Sequence, residues 1–483
     1  MDELFIFMYY IIIDHFITHP VFVCLGHSCM VRSAMQRPKH ILFVTPWIYD
    51  FAAFDFWMKP LGLLSLAALF RDNGYSVNYL DCLMDHDLAD QAHRKTRRTE
   101  HGTGHFDKEA IVKPAPLAFF QRRYYRYGIP MGLFRRKLLS IPPPDMVLVT
   151  SMMTYWYPGA FEAIHLLRAS LPGVPILLGG NYATLCPDHA RQSGADRIFP
   201  GPGEWHFSEI IKTFFNDRPR ILPDFDDLDT YPRPAFDLLG RLDQVPLLTS
   251  RGCPFRCSYC ASNQLYPKFM RRHPLRVAEE IFDWHDRFGV RHFSIYDDAF
   301  LVDPPSLALP LLDTIVQRKA NLSFHCPNGL HLRQITPVLS RMLYRAGFRT
   351  LRFGFETFDP DRQATTGGKV NNDHLIAAVR YLCEAGYEAS DIGVYLLCGL
   401  PGQTAEEIDG SIRFVQSLGA KPYLAEYSPI PGTALWPEAL QSSPYDLLNE
   451  PLCHNNTLLP CAGDTLPEPA YRELKLKTRM SPR

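Results

Sequence analysis

Apolar residues along this chain fall into short runs bounded by glycine, proline and polar residues, and these alternate with longer stretches of helical period. Ile41-Leu-Phe-Val-Thr45 is a continuous apolar run, as expected of a strand buried on both faces. Leu61 to Asn73 repeats apolar residues at helical spacing and is stopped by Gly74. Val77–Asp81 and Met146–Thr150 predict a second and third strand, followed by a helix over Tyr157–Ser170. Ile176–Leu178 predicts a fourth strand ending in Gly179-Gly180, and Arg197–Phe199 a short fifth ending in Gly201-Pro-Gly-Glu204. Strands alternating with helices imply a parallel, doubly wound, Rossmann-like domain over residues 35–220. Ligands of such sheets bind at the carboxyl ends of the strands, where Thr45, Ser151, Gly179, Gly180, Gly201 and Gly203 fall. Glycine there lets a ligand approach the backbone.

The same beat resumes over residues 245–437. Helices expected at Leu275–Phe288, Pro305–Lys319, Ile335–Ala346, Asn372–Ala385 and Ala405–Leu418 each precede a strand. Those strands are His292–Tyr296, Leu322–His325, Thr350–Glu356, Ile392–Leu397 and Lys421–Glu426. With the apolar run Val245–Thr249 this makes six βα beats and predicts a partial (β/α)6 barrel, with active groups at the carboxyl ends of its strands. The acidic, proline-bearing Asp224–Pro234 marks a linker over residues 221–244, and residues 438–483, with Cys453 and Cys461, read as a C-terminal cap. A long insert, residues 84–144, separates the second and third strands. It carries His86, His93, His101 and His105 and two basic, aromatic patches at Arg122–Tyr127 and Arg135–Lys137. It reads as a solvated helix–loop excursion. His101 and His105 are not read as a metal site, because Gly102 and Gly104 oppose a helix between them.

Candidate chemistry concentrates in Thr249-Ser-Arg-Gly-Cys-Pro-Phe-Arg-Cys-Ser-Tyr-Cys260, which places Cys253, Cys257 and Cys260 in the spacing C-x3-C-x2-C. Three thiolates on one loop hold three irons of a [4Fe–4S] cluster and leave the fourth without a ligand from this loop. An open position separates a reactive metal site from a structural one. A zinc knuckle is the bland alternative, and His273 stands at no common ligand spacing from Cys260. Arg251 and Arg256 offer positive charge that would tune a cluster's potential, with simple solvation as the alternative.

This loop resembles the signature of the radical S-adenosylmethionine (SAM) superfamily, C-x3-C-x-aromatic-C, with Tyr259 as the aromatic. The resemblance implies that SAM chelates the open iron and is cleaved reductively to a 5′-deoxyadenosyl radical, with Tyr259 near the adenine. It extends over residues 245–437. Asp297-Asp298 stands where cobalamin-dependent members often carry two aspartates, Gly354-Phe-Glu356 matches the segment whose carboxylate, here Glu356, positions SAM, and Gly399-Leu-Pro-Gly402 matches the later glycine motif near the adenine. Residues 35–220 resemble the cobalamin-binding domain found ahead of many radical SAM cores, through Pro60–Ala68, Pro144–Ser151, Gly179–Thr184 and Gly201-Pro-Gly-Glu204. The usual lower-ligand motif D-x-H-x-x-G is absent after the first strand. Together these imply a [4Fe–4S] cluster, SAM and cobalamin as cofactors, an electron donor such as flavodoxin or ferredoxin, and methyl transfer or rearrangement on an unactivated carbon of a small molecule. A second reading keeps radical SAM chemistry without cobalamin and gives the N-terminal domain to substrate recognition. A third is a non-catalytic iron–sulfur or zinc module.

Composition narrows the setting. Length, 483 residues, suits two or three cores, and the net charge of -1 provides no electrostatic footprint for nucleic acid or an anionic membrane. Of the twelve cysteines, the nine outside the triplet are scattered and fit a reducing cytoplasm better than a disulfide framework. Leu4–Ile13 is apolar but ends at Asp14, short of the ~20 residues of a spanning helix. Residues 1–34 are therefore read as an extension ahead of a start at Met35, with a membrane-surface anchor as the runner-up.

Overall fold

The computed structural model describes residues 37–85, 98–99, 101–240 and 242–480, so the expectations for residues 1–34, His86 and His93 lie outside the described residues. The first sheet is built from β1 (His40–Thr45), β2 (Ser76–Asp81), β3 (Met146–Val149), β4 (Ile176–Leu178) and β5 (Arg197–Ile198). All pairs are parallel, in the order β5-β4-β3-β1-β2. β1 is buried throughout because it feeds two cores. Leu42 and Val44 join Leu80, Val147 and Ile164 on one face, and Ile41 and Phe43 join Leu66, Phe70 and Phe207 on the other. This is why the strand reads as an unbroken apolar run. Helices α1 (Leu61–Asp72) and α2 (Tyr157–Ser170) cross between strands. The order reverses between β1 and β3, which opens a crevice beyond their carboxyl ends.

The described part of the insert is not a solvated excursion. Strands Lys108–Ile111 and Tyr124–Tyr127 join Ile48–Asp50 in a small antiparallel sheet. Tyr124 and Tyr127 are buried, and the helix Met131–Ser140 packs Phe134 against Trp47 with ring centroids 4.8 Å apart. Pairing with Ile48–Asp50 gives the insert's backbone hydrogen-bonding partners, so its aromatic residues can be buried.

The second sheet comprises β6 (Gln244–Leu247), β7 (His292–Ile295), β8 (Ser323–His325), β9 (Phe348–Glu356), β10 (Ile392–Cys398) and β11 (Lys421–Glu426), parallel and in chain order. Between them run α3 (Pro274–Phe288), α4 (Ala308–Arg318), α5 (Pro337–Ala346), α6 (Asn372–Ala385) and α7 (Ala405–Ser417). Thr336, Asn371 and Thr404 cap helix starts with side-chain hydrogen bonds, and Gly289, Gly347 and Gly386 end helices in the left-handed conformation. Val245, Phe293, Phe324, Phe348 and Phe353 pack toward the helices. Strand alternation turns Gln244, His292, Ser294 and His325 to the inner face. This is the expected α/β class: a Rossmann-like sheet followed by a partial six-stranded barrel.

The segment after the barrel returns to the first sheet's side. His454 bonds the Thr154 hydroxyl (3.0 Å), the Asn455 amide donates to Asp50 (2.8 Å), and the Tyr157 hydroxyl donates to Glu450 (3.1 Å). Among the described residues no helix is long and apolar enough to cross a membrane.

Candidate active site

The three-cysteine loop hangs from a narrow stem. Beyond β6 the chain makes a short antiparallel pair, Ser250-Arg251 with Met270-Arg271, and residues 252–269 form the excursion. Gly252 opens it at φ +79°, where a Cβ would lie 2.6 Å from the Lys268 carbonyl oxygen, so only glycine fits. The Cys260 N–H donates to the Cys257 carbonyl (3.1 Å), the Ser262 N–H to Cys260 Sγ (3.4 Å), and the Asn263 amide to the Phe255 carbonyl (2.8 Å). All described cysteines are free thiols. Burial pushes the Cys253 thiol up to about 11, so metal binding there must release a proton.

A second segment roofs this loop. The Ser258 N–H donates to the Thr366 carbonyl (3.3 Å), and a Cβ on Gly367 would come within 3.3 Å of Cys257 Sγ. Lys369 Nζ then reaches Glu356 Oε1 (2.5 Å) and the Tyr259 hydroxyl (3.1 Å). Burial opposes the Lys369 charge, but the adjoining Glu356 carboxylate outweighs it and holds the ammonium above its ordinary range. Glu356 ends β9 at φ +73°, a conformation rare outside glycine and of the kind that gathers at functional sites. Sequence reasoning found Glu356 and Tyr259 but missed Gly367 and Lys369; the only signal was the Gly-Gly-Lys run after the helix Pro360–Thr365.

The paired aspartates divide their work. Asp297 is buried and accepts from the Thr249 N–H (2.7 Å), the Thr249 hydroxyl (2.5 Å) and the Ser250 hydroxyl (2.5 Å), which ties β7 to the stem of the cysteine loop. Burial pushes its carboxyl up to about 6. Asp298 accepts from the Ser262 hydroxyl and faces a cavity. Gly399 and Gly402 sit at φ +84° and +64° in the turn after β10, where Gln403 Oε1 accepts from the Gly399 N–H (2.9 Å). Neither lines that cavity.

The cavity, about 520 Å³, lies between the carboxyl ends of the two sheets. Ser151, Gly179, Gly180, Gly201, Gly203 and Glu204 form one wall, and Cys260, Ser262 and Asp298 form the other. Added Cβ atoms at Gly62 and Gly201 would meet no protein atom within 4 Å, so these glycines leave room along the wall. Gly180 has a different reason: at φ +94° its Cβ would lie 2.3 Å from the Ser151 carbonyl oxygen. Thr45 is not part of the wall; its hydroxyl accepts from the Tyr79 hydroxyl (2.9 Å). Across the seam, Arg251 Nη2 meets Glu204 Oε1 at 3.2 Å, and its guanidinium lies 5.1 Å from the ring centroids of both Tyr231 and Tyr266. The Arg251 charge is therefore already paired.

Residues 247–415 match the model of the radical SAM superfamily. An uncharacterized methyltransferase of Pyrococcus horikoshii is 25% identical over 340 residues, 64% of this chain and 72% of the relative. The cytidylyl-2-hydroxyethylphosphonate methyltransferase of Streptomyces wedmorensis is 21% identical over 444 residues, 79% of this chain and 78% of the relative. The fold is similar to that of the radical SAM methyltransferase TsrM of Kitasatospora setae, solved with cobalamin and a [4Fe–4S] cluster bound, with a TM-score of 0.60 and 18% identity over 84% of this chain and 78% of that one. The family match runs from the end of β6 through the cysteine loop to α7, and residues 247–415 are therefore a radical SAM domain.

Proposed function

We propose that this chain is a cobalamin-dependent radical SAM methyltransferase acting on an unactivated carbon of a small molecule. Residues 35–220 serve as the cobalamin domain, 221–244 as linker, 245–437 as radical SAM core and 438–483 as cap. The observation that carries the reading is the shared cavity, whose one wall is the glycine-rich carboxyl edge of the first sheet and whose other wall includes Cys260 and Asp298. A corrinoid on the first wall would face the chemistry of the second.

Cys253, Cys257 and Cys260 would hold the cluster, and the donor set of three thiols on one loop fits it. When bound, the cluster supplies the electron that cleaves the SAM sulfonium, and cobalamin carries the methyl group. The chain's own residues position and shield. The buried Glu356–Lys369 pair offers a carboxylate and an ammonium beside Tyr259, complementary to the amino and carboxylate groups of SAM. Asp297 is a positioning residue that fixes the loop stem, while Asp298 presents its carboxylate to the cavity. Ser151, Gly179, Gly180, Gly201 and Gly203 would hold the corrinoid, and among the described residues no histidine lines the cavity. Reduction requires an electron donor, for which flavodoxin or ferredoxin in the cytoplasm is the proposed source.

The test is anaerobic expression in a cobalamin-fed host, cluster reconstitution, and quantification of corrinoid, iron and sulfide. Stoichiometric corrinoid beside a four-iron cluster supports the proposal. A cluster without corrinoid, even in excess cobalamin, would turn the N-terminal domain into a substrate-recognition module. Cys257→Ala is expected to abolish both the cluster and SAM cleavage; retained cleavage would overturn the site assignment.

A further inference from the structure

Three histidines from distant stretches of the chain meet on the inner face of the barrel sheet. His292 opens β7, His325 closes β8, and His101 comes from the insert. Their ring centroids lie 5.4 Å (His292–His325), 5.0 Å (His101–His325) and 5.5 Å (His101–His292) apart. One ring nitrogen from each lies within 4.8 Å of the other two. His292 Nδ1 and His325 Nε2 are closest, at 3.1 Å. With zinc–nitrogen bonds of about 2.05 Å, two nitrogens at that separation subtend about 100° at the ion, inside the range of tetrahedral coordination. The third must close to roughly 3.4 Å from each of the others, a shift of about 1.5 Å at most. His101 is only half-buried and belongs to a short loop, so a side-chain rotation supplies it.

The surroundings hold the rings for such a role. His325 is fully buried, and its Nδ1 lies 3.0 Å from the Thr350 hydroxyl. When Nδ1 donates there, Nε2 carries the lone pair that points to His292, the arrangement by which a second partner orients a ligating imidazole. Trp57 stacks on His325 at 4.5 Å and 17°, and its indole N–H donates to the His101 carbonyl (2.7 Å). A cluster of three imidazoles with no carboxylate among the described residues suits zinc or a similar borderline ion, and not magnesium or calcium.

We propose that His101, His292 and His325 form a site for a borderline divalent transition-metal ion, with zinc as its natural probe, which pins the insert to the barrel. The site is separate from the cysteine loop. It lies inside the sheet, where Gln244 pairs with His292 and Ser294 with His325, whereas the cysteines and Asp297-Asp298 lie beyond the carboxyl ends. Water completes the coordination, as it does at other three-histidine sites.

The full chain, with its cluster reconstituted and excess metal removed by chelating resin, is titrated with zinc chloride, and zinc and iron are measured together. The expected result is one zinc per chain in addition to cluster iron, with affinity falling on the order of 100-fold in His101→Ala and in His292→Gln while iron content stays unchanged. Unchanged iron also shows that both variants fold. In a Cys253→Ala, Cys257→Ala, Cys260→Ala chain the zinc is retained, and cobalt(II) in its place gives the visible bands of a tetrahedral site. Absence of a zinc beyond the cluster, zinc binding unaffected by both histidine substitutions, or zinc lost only with the cysteines would each overturn the proposal.

Discussion

The Glu204–Arg251 pair is the sharpest test of how the two halves are joined. Its side chains are 3% and 8% exposed, and the charged atoms approach to 3.2 Å. At an effective dielectric of 20 the attraction is about 5 kcal/mol, of which desolvation cancels most. Removing one partner strands the other as a buried charge, which costs about 3–5 kcal/mol. Arg251→Met also gives up the two flanking tyrosine rings and is expected at about 4 kcal/mol. Glu204→Gln keeps the shape and is expected at about 3 kcal/mol. The double variant leaves no stranded charge, so its cost is expected near 4 kcal/mol instead of the additive 7, a coupling of about 3 kcal/mol. Urea unfolding of the cluster-free full chain, followed by tryptophan fluorescence and far-UV circular dichroism, measures all four corners of the cycle; the transition in which both signals change together is the one to compare. Additivity within about 0.5 kcal/mol would refute the claim that this pair joins the sheets.

Other outcomes follow from single sites. His454 is buried between the Thr154 hydroxyl and the Leu447 carbonyl, and burial lowers its folded-state value to about 4. The unfolded chain then binds the extra proton first, so this contribution to stability is full above about pH 6.5 and is lost as pH falls toward 4; His454→Gln should remove about 3 kcal/mol of that loss, measured as unfolding free energy against pH. Gly252→Ala forces a left-handed alanine against the Lys268 carbonyl, at a cost of about 3 kcal/mol, and should leave less than about half the iron of the parent chain after reconstitution; full iron would show that the stem can open. Asp297→Asn puts an amide N–H2 in place of one carboxylate oxygen, facing either the Thr249 N–H or the Thr249 and Ser250 hydroxyls, and is expected to cost about 2 kcal/mol in thermal unfolding, with slower cluster uptake.

What could be read in the sequence is what depends on neighbours along the chain. β1 was legible because a strand buried on both faces must be apolar throughout, and the cysteine loop because its three thiols lie within eight residues. Glu356, Asp298 and the glycines at Gly179–Gly180 and Gly201–Gly203 were legible as carboxyl-end residues of expected strands. Thr45 was drawn in by the same rule, but its hydroxyl turns toward Tyr79 inside the sheet. What escaped depends on partners far away. Lys369 gains meaning only against Glu356 and Tyr259, and Arg251 only against Glu204. The insert was misread because Tyr124 and Tyr127 look like a basic-aromatic surface until their strand is paired with Ile48–Asp50. His101 showed its glycine neighbours in sequence but not His292 and His325, which the barrel brings to it.

The roof over the cysteine loop sets a constraint on maturation in the cell. Tyr259 and Lys369, which close over one another, are 110 residues apart, and Gly367 abuts Cys257. During synthesis the thiols therefore emerge well before the segment that covers them. A carrier handing over a preformed cluster meets an open loop while β9 and the helix after it are still being made, and a crowded one afterwards. If a cluster is delivered during synthesis, slowing translation just past residue 260 should therefore favour its delivery.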